Sequence, residues 1–460
     1  MPIALAWTAS TAVGQGPLVP GDVAVMTRST GATPTAQLHV VDAAGTHTLS
    51  GLSTALADAA SSFALDAISG DWIVGASSTQ TSGGPAEIWR VRIAAGAVVG
   101  ESLLLTLPGT DGLAVTDMHR ESNGCILALT SAPLAFHVFR IAVSPSSAAA
   151  YEVPLTASRG LANTQMLSIC SSPAGSVHLG ARGWPPSTPE VTGVMSAPPA
   201  GGHLSPVAGT TGFGILPLGI EFSAQGFLTI VGSSPTSLFN YLCGQGLFFP
   251  AFIGASPGSS PEIADLDATV DGSQFWIAIN GSVNPPSGFP GNVWKIGGTN
   301  CGFGTPTPTA GFADPVVKVQ AARASSSFGC PCATSLGLLP WIFEMTPPAI
   351  GQSWIVEAHN APAFSAALLM VGGSYSSIGG APLPFSFAPM GADGLLLLTS
   401  SEVTYIVVAD GSGVAVSNAA IPTDPVLVGA TLYSQWLFAD SGANPVGYSA
   451  SAGIRSVIGP

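Results

Sequence analysis

A short strand motif that begins at a glycine recurs six times between Gly21 and Gly281, and this repeat constrains the fold more than any other feature. Each copy joins a glycine-containing turn to an apolar run that ends in small residues. The copies are GDVAVMTRS from Gly21, GDWIVGASS from Gly70, GCILALTS from Gly124, GSVHLGARG from Gly175, GFLTIVGSS from Gly226 and GSQFWIAING from Gly272. Successive starting glycines lie 46 to 54 residues apart. A regular period of this size indicates a repeat architecture.

Each repeat also holds further strand-like runs on either side of the motif. In the second repeat FALDAIS (63–69) precedes the glycine, and AEIWRVRI (86–93) follows it with alternating apolar and polar residues. Three to four strands per repeat of about 50 residues is typical of a β-propeller blade. The sequence therefore predicts an all-β N-terminal domain, residues 1–320, with about six blades, and residues 1–15 are expected to complete the last blade. Seven blades, a β-helix or stacked sandwiches remain alternatives.

The repeat is lost after the proline-rich segment GTPTPTAGFADP (304–315), which has the composition of a linker or a last loop. Short strand-like runs continue to the end of the chain, among them SWIVEAHN (353–360) and ATLYSQWLFAD (430–440). Eight or nine strands in about 135 residues are typical of a β-sandwich of the jelly-roll or immunoglobulin-like type. This β-sandwich is the second predicted domain, residues 325–460. Its closing part is predicted as a strand over 431–439 and a hairpin around Ala452 and Gly453.

The charge of the chain excludes several classes of partner. It has 11 Lys and Arg residues against 25 Asp and Glu, for a net charge of −14, and its two lysines are Lys295 and Lys318. Nucleic acids and anionic membrane surfaces are bound by clustered basic residues, and the sequence has no such cluster. No apolar run reaches the roughly 20 residues of a membrane span. We therefore expect neither partner, whereas weakly charged polar surfaces can pack against other copies or other surface proteins.

The start of the chain and its composition bear on its location. MPIALAWTAS lacks the basic start and the long apolar core of a signal peptide. Few lysines and many Thr, Ser and Gly suit an extracellular chain. We therefore expect an extracellular or cell-surface protein whose signal peptide is absent from this sequence.

The cysteines allow disulfides without deciding their pairing. An even number permits three bridges, buried thiols are the first alternative, and zinc is the second, because zinc sites favour close cysteine pairs or nearby histidines. The only close pair is Cys330-Pro-Cys332. The six candidates are Cys125, Cys170, Cys243, Cys301, Cys330 and Cys332.

A few side chains at predicted strand ends could bind a ligand on one face of the propeller. His119 and Glu221 are the titratable members, Arg182 is a cation, and Trp184 offers a flat ring on which a sugar could stack. The alternative is a loop salt bridge with a capping aromatic residue. A polysaccharide is the ligand that such a face would take.

Three carboxylates within seven residues, Asp265, Asp267 and Asp271, form the one candidate cation site. Calcium binds clustered oxygen ligands on turns, and calcium is the only cofactor that the sequence suggests. The spacing differs from that of an EF-hand, and no glutamate closes the loop. Solvated turn carboxylates are therefore the alternative.

The last 130 residues resemble a carboxy-terminal module that ends many large secreted proteins of planctomycete-type bacteria. The resemblance covers CPCATSLG (330–337), IPTDPVLVGATLYSQWLFAD (421–440) and ANPVGYSASAGIR (443–455). The chain departs from that pattern at Gly394, where a cysteine is common, and at Ala452-Gly453, where Asn-Gly is usual. The resemblance implies secretion and a surface context, and it implies no activity. Matching positions are Ile421, Pro422, Gly429, Gln435, Trp436, Ala443, Asn444, Pro445, Gly447, Ser449, Gly453 and Arg455.

No catalytic motif stands out in the sequence. The one GxSxG match, Gly254 to Gly258, has Pro257 directly after its serine and is followed by Pro261, and these prolines prevent the helix of a nucleophile elbow. We therefore expect a non-catalytic secreted or surface protein with a structural, adhesive or assembly role, and self-association is part of that expectation. The alternatives are a glycan-binding or glycan-cleaving propeller and a surface ligand sensor.

Overall fold

The structure is a computed structural model, and it is all-β apart from one short α-helix and two turns of 3-10 helix in the part of the chain that it describes. The described residues are 22–30, 33–42, 45–66, 68–79, 83–94, 97–132, 135–145, 147–156, 164–183, 193–207, 216–222, 228–234, 237–241, 248–249, 262–268, 274–280, 291–299, 302–303, 307–321 and 326–460.

Residues 22–321, the six-sheet region, form six antiparallel sheets of four or more strands within the described ranges. Sheet I contains β1 (Val23–Arg28), β2 (Ala36–Asp42) and β3 (Gly45–Leu49), and helix α1 (Thr54–Ala59) follows it. Sheet II contains β4 (Ala60–Leu65), β5 (Trp72–Ala76), β6 (Glu87–Ala94) and β7 (Ala97–Thr106). Sheet III contains β8 (Val115–Arg120), β9 (Ile126–Ala132), β10 (Ala135–Val143) and β11 (Ala148–Glu152).

The next three sheets repeat this order. Sheet IV contains β13 (Thr164–Ser171), β14 (Val177–Gly183), β15 (Gly193–Ala197) and β17 (Ser205–Pro206), and the short strands β12 (Leu155–Thr156) and β16 (Gly202–His203) pair beside it. Sheet V contains β18 (Leu216–Phe222), β19 (Leu228–Ser234), β20 (Ser237–Tyr241) and β21 (Phe248–Phe249). Sheet VI contains β22 (Glu262–Ala268), β23 (Gln274–Asn280), β24 (Gly291–Thr299), β25 (Gly302–Phe303) and β26 (Thr307–Phe312).

The last strand of this region, β27 (Val316–Ala321), returns to the first sheet. It pairs antiparallel with β1, with Val25 opposite Val319, so sheet I has the order β27-β1-β2-β3. The end of the region thus completes its first sheet. Residues 1–15, expected to complete the last sheet, lie outside the described residues, and that expectation stays a prediction.

The innermost strands of the six sheets contact one another in a cyclic order: β27, β4, β8, β13, β18, β22 and again β27. The apolar cores lie between neighbouring sheets. Met26 of sheet I packs with Trp72 of sheet II, for example, and Ile73 of sheet II packs with Phe139 of sheet III. Because a sheet in this position is covered on both faces, strand β5 is buried at every residue, which explains its continuous apolar run WIVGA.

Residues 326–460, the two-sheet region, contain two larger sheets over a shared core. Its strands are β28 (Ser327–Phe328), β29 (Trp341–Thr346), β30 (Ser353–His359), β31 (Ala366–Gly372), β32 (Ser377–Ile378), β33 (Ala381–Pro382), β34 (Phe385–Ser386), β35 (Leu396–Leu397), β36 (Val403–Val408), β37 (Ala415–Ala420), β38 (Thr431–Ala439) and β39 (Tyr448–Val457). The five-stranded sheet has the order β28-β39-β38-β31-β36, and the three-stranded sheet has the order β29-β30-β37. Two short two-stranded sheets, β32-β33 and β34-β35, complete the region. The turns of 3-10 helix are Ala388–Met390 and Pro425–Leu427.

The shared core of the two-sheet region joins Trp354 of β30 to Leu369, Trp436 and Phe438 of the other sheet. Strand β38 has the predicted bounds, and its Leu432, Trp436 and Phe438 side chains pack in the shared core. The hairpin predicted around Ala452 and Gly453 is wrong, because both residues lie inside the continuous strand β39. A Cβ atom at Gly453 would lie 2.4 Å from the Phe328 ring, so this glycine permits close packing rather than a turn.

Sheet III carries a disulfide and several hydrogen bonds to the two-sheet region. A disulfide joins Cys125, at the start of β9, to Cys330, just after β28. The Tyr151 hydroxyl donates to the Pro331 carbonyl oxygen at 3.0 Å, and the Ser144 and Ser147 hydroxyls donate to the Leu383 carbonyl oxygen. The domain division predicted at residues 320–325 stays a prediction.

Candidate functional site

Five ionisable side chains on innermost strands form two buried contact groups inside the six-sheet region, and we call the five together the charged centre. Each is less than a tenth exposed. They come from four of the six sheets, and neither their spacing in the sequence nor any motif links them. The members are Asp117 and His119 of β8, Glu221 of β18, Asp265 of β22 and Lys318 of β27.

Lys318 links two carboxylates from opposite sides of the cyclic arrangement. Its ammonium nitrogen Nζ lies 2.7 Å from Asp117 Oδ1 and 3.3 Å from Asp265 Oδ1. Strands β8 and β22 are three places apart in the cyclic order of six, so these contacts cross the middle of the region. This buried cation therefore connects β8 to β22 and β27, neither of which is next to β8 in the cyclic order.

The carboxylates also accept backbone N–H groups from the next innermost strand. Asp117 Oδ2 accepts from the Ile169 amide at 2.9 Å, which ties sheet III to sheet IV. Asp265 Oδ2 accepts from the Val319 amide at 2.8 Å, and Asp267 Oδ2 accepts from the Ala321 amide at 2.7 Å, which ties sheet VI to sheet I. Charge-assisted bonds of this kind are stronger than neutral ones, and these satisfy buried amides.

Neutral side chains connect three further junctions in the same way. Gln320 Oε1 accepts from the Leu65 amide at 2.7 Å, which ties sheet I to sheet II. The Ser61 hydroxyl donates to the Val115 carbonyl, and the Ser168 hydroxyl donates to the Pro217 carbonyl at 2.7 Å. Among the described residues, five of the six junctions between innermost strands therefore carry a side-chain-to-backbone bond.

Burial and charge set the protonation of the centre. Burial raises the pKa of Asp265 to about 7, against the attraction of Lys318. Burial acts to lower the pKa of Lys318, but Asp117 and Asp265 outweigh it, and the pKa lies above its usual value. The ammonium group therefore stays charged at neutral pH, while Asp265 takes up or releases a proton there.

Two of the predicted ligand residues meet in this centre. His119 Nδ1 lies 3.2 Å from Glu221 Oε2, and both side chains are buried, so the fold joins residues from sheets III and V. Arg182 is half-buried on β14 and donates to Gln165 Oε1 at 2.9 Å. Trp184 lies outside the described residues. A ligand-binding role for these four residues stays a prediction.

The candidate calcium residues are used in hydrogen bonds. Asp265 and Asp267 both lie on β22, and their oxygens accept from Lys318 and from the backbone of β27. Asp271 lies outside the described residues. In the described part of the chain no three His, Cys, Asp or Glu side chains are grouped to hold a metal ion. The calcium site stays a prediction, and the bonds observed indicate a structural use of both carboxylates.

The cysteines divide into three groups. Cys125 and Cys330 form a disulfide, and Cys170 is buried in the apolar cluster between sheets IV and V. Cys332 is a buried thiol: burial raises its pKa to about 12, and its sulfur lies 3.9 Å from the Asn444 amide nitrogen. For Cys332 the structure thus has the first alternative, a buried thiol, rather than a bridge. Cys243 and Cys301 lie outside the described residues.

Sequence reasoning missed the two residues that organise the centre, Asp117 and Lys318. A signal was present for one of them. Lys318 is one of two lysines in the chain, and it lies in the otherwise uncharged strand VVKVQA. A lysine inside a buried strand requires a counter-charge, which points to a carboxylate from another strand.

Comparisons with known proteins identify no relative by sequence. No family model matches the chain, and no curated protein matches it. Solved structures match at low similarity. A protein of unknown function from Bacteroides caccae is 11% identical with a TM-score of 0.40, over 66% of this chain and 99% of that chain.

In the described residues no helix is long and apolar enough to cross a membrane.

Two further structures illustrate the range of matches. The β-propeller domain of Cps50 (Swd1) from Myceliophteria thermophila is 9% identical with a TM-score of 0.34, over 62% of this chain and 86% of that chain. An exo-β-1,3-galactanase from Phanerochaete chrysosporium is 10% identical with a TM-score of 0.35, over 94% of this chain and 100% of that chain. Sequence identities and TM-scores this low support no conclusion about activity.

Proposed function

We propose that the six-sheet region is a six-bladed β-propeller and that the two-sheet region is a β-sandwich fixed to it. The cyclic contacts of the innermost strands support the first part, as does the pairing of β27 with β1. A propeller closed by a strand from the far end of its own chain leaves few exposed sheet edges. The shared apolar core of the two sheets after residue 326 supports the second part.

We further propose that the chain is a non-catalytic protein of the cell surface or the extracellular space, with a structural or adhesive role. One observation carries this: the buried carboxylates of the charged centre are bonded to the chain's own backbone and to Lys318. A general acid or base must reach the substrate. Asp117 and Asp265 instead hold the innermost strands together.

The disulfide supports the location. Bridges such as Cys125–Cys330 form and persist mainly in oxidising compartments. The resemblance of residues 330–455 to a module of secreted bacterial proteins points the same way. Labelling of intact cells with a membrane-impermeant reagent tests this location, and exclusive labelling after lysis would contradict it.

Replacing Asp117 distinguishes a structural centre from a catalytic one. Catalytic polar groups commonly destabilise a fold, so replacing them with neutral residues stabilises it. Replacing a structural carboxylate instead lowers the free energy of unfolding. We expect Asp117→Asn to lower the unfolding free energy by about 2–4 kcal/mol, because it removes the main counter-ion of buried Lys318. Urea unfolding measures this, with exposed Asp111→Asn as the matched control, expected within about 0.5 kcal/mol of the parent. A stabilised Asp117→Asn protein would contradict the proposal.

Self-association, part of the same proposal, has chemical support in strand β36. It is the edge strand of its sheet, VTYIVV carries no charge or proline, and Ile406 is 72% exposed. Natural edge strands are usually protected by charges or prolines, and an unprotected edge can pair with the same strand of a second copy. A solution mass of two or more chains supports this part, and a strict monomer at high concentration contradicts it.

A further inference from the structure

A cleft lies between the two regions, apart from the charged centre. Its volume is about 390 Å³, within the range of small-molecule sites. One wall is formed by the turn after β8, with Ser122 and Asn123, and by the turn after β13, with Ser172. The other wall is formed by the first residues of β29 and by Ser327. The cleft thus lies where turns of two neighbouring sheets face the two-sheet region.

Aromatic rings form the apolar side of the cleft. Trp341 and Phe343 are two residues apart on β29, with ring centroids 5.8 Å apart, and both line the cleft. His359 packs edge-on against Phe343 with centroids 5.3 Å apart, which holds the phenyl ring in place. Phe343 is 39% exposed. Adjacent, accessible rings of this kind offer a surface for the C–H face of a flat apolar or sugar ring.

Hydroxyl and amide groups form the polar side. Ser122, Asn123, Ser172 and Ser327 line the cleft, and a hydroxyl can both donate and accept a hydrogen bond. Such groups match a ligand that itself carries many hydroxyls.

The charges of the lining residues restrict the ligand further. Both carboxylate oxygens of Glu121 accept from Arg140, at 3.1 and 3.2 Å, so this carboxylate is neutralised within the protein. Glu344 Oε1 accepts from the Trp354 indole at 2.8 Å. Among the described residues that line the cleft there is no Lys, Arg or His, so nothing favours a phosphate, sulfate or uronate.

The two walls are held at a fixed separation. The disulfide Cys125–Cys330 joins them beside the cleft. At Gly124 a Cβ atom would lie 2.2 Å from the Ser327 carbonyl oxygen, and at Gly175 it would lie 2.4 Å from the Leu339 side chain. Contacts this close, one with backbone and one with a side chain, leave no room for the walls to move together. A preformed cleft loses little conformational entropy when a ligand binds.

We propose that this cleft binds a neutral carbohydrate, with a sugar ring against Trp341 and Phe343 and its hydroxyls toward the serines and Asn123. The proposal rests on the adhesive role proposed above and adds the surface and the ligand class. It differs from the ligand face predicted from the sequence, because none of His119, Arg182 and Glu221 lines this cleft.

Isothermal titration calorimetry with the full chain tests the proposal. The probes are neutral hexasaccharides (cello-, xylo-, laminari- and chitohexaose), oligogalacturonate as an acidic glycan, and choline as an aromatic-cage cation. We expect at least one neutral hexasaccharide to bind, and neither other probe to do so. Phe343→Ala should weaken that binding at least tenfold, and Ser122→Trp, which fills the cleft from an exposed turn, should abolish it. Phe385→Ala is the matched control, since Phe385 is also 39% exposed but lies outside the cleft.

The outcomes separate this inference from the proposed function. Unchanged binding in both cleft variants, or an equal loss in the Phe385→Ala control, overturns the site. Binding of only oligogalacturonate or choline, or of no probe at millimolar concentration, overturns the ligand class. None of these results affects the structural role, which the Asp117→Asn measurement decides. Release of new reducing ends from a bound hexasaccharide would instead overturn the non-catalytic role and leave the site in place.

Discussion

The two regions of this protein are both built largely from small, uncharged residues, but they bury different kinds of side chain at their centres. The six-sheet region has ionised side chains at its middle, where Lys318 meets Asp117 and Asp265. The two-sheet region has an aromatic middle of Trp354, Trp436 and Phe438. Two facing sheets can fill the space between them with apolar side chains. Six innermost strands that meet in a cyclic order have apolar cores only between neighbours, so polar bonds connect the strands at the centre.

Burial along single strands shows the same difference. Strand β5 is buried at all five residues, because neighbouring sheets cover both of its faces. Strand β37 alternates between buried and exposed residues, because one face meets the core and the other meets solvent. Polar side chains therefore specify which strands meet in the first region, whereas apolar volume does so in the second. Three measurements test this difference.

The largest expected effect is in the charged centre. Lys318→Met removes the shared cation and leaves two buried carboxylates without their counter-charge, which should lower the unfolding free energy by about 3–5 kcal/mol. Lys295→Met is the control, because Lys295 is less buried and lies 5.3 Å from the Trp276 ring, a contact of about 0.5–1 kcal/mol. Denaturant unfolding of both variants measures the difference. Equal losses would show that the charged centre stabilises the six-sheet region no more than a lysine outside it does.

A smaller effect is expected from the main buried polar side chain of the two-sheet region. Gln435 accepts from the Leu398 amide at 3.0 Å and donates to the Leu396 and Ser451 carbonyls at 2.9 and 3.0 Å. Gln435→Leu should cost about 2 kcal/mol, because an unsatisfied buried group costs about 1–3 kcal/mol. Exposed Gln352→Leu serves as control, with no expected change. If Gln435→Leu lowered the free energy of unfolding more than Lys318→Met does, buried polar groups would matter more in the two-sheet region than in the six-sheet region, the opposite of what we expect.

The smallest effect is a change in pH dependence. The folded pKa of Asp265 is about 7, above its ordinary value of 3.8, so its contribution to stability is full below about pH 4 and is lost as the pH rises through 7. Burial lowers the pKa of His39 and of His178 to about 4, so their contributions are lost as the pH falls from 6.5 to 4. Between pH 4 and 7 the contribution of Asp265 therefore falls as the pH rises, while those of the two histidines grow. Asp265→Asn removes the falling contribution, so the free energy of unfolding should then rise more steeply from pH 4 to 7.

Urea midpoints at pH 4.5, 5.5 and 6.5 measure this slope. The change should approach about 1.4 kcal/mol per pH unit, the value for one proton. Exposed Asp393→Asn in the two-sheet region is the matched control and should leave the slope as it is in the parent. A parallel curve for Asp265→Asn would show that this carboxyl has an ordinary pKa in the folded chain.

Part of the fold could be predicted, and the successes share a cause. The six motifs predict strands because alternation and turn residues are local properties, and the bounds of β38 were predicted to the residue. The Ala452-Gly453 hairpin failed because a glycine can signal either a turn or a close approach, and only the Phe328 ring beside Gly453 decides between them. The pairing of β27 with β1 was not predicted, because it joins residues nearly 300 positions apart.

The candidate site was predicted less well than the strands. His119 and Glu221 were selected for their residue types, and the structure places them together. Asp117 and Lys318 were passed over because their partners lie on strands up to 201 residues away. The cleft beside Trp341 and Phe343 has no sequence signal at all, since its walls come from separate regions.

The amino-acid sequence is sufficient to predict a β protein with a strand repeat of about 50 residues and little charge to bind nucleic acid. These conclusions depend on local pattern and on totals, which are the same in every conformation. The packed fold was needed to show which carboxylates surround Lys318, that Cys125 meets Cys330, and that a cleft lined by aromatic rings lies between the regions. Such contacts join distant residues, and the order in which the sheets pack selects the pairs.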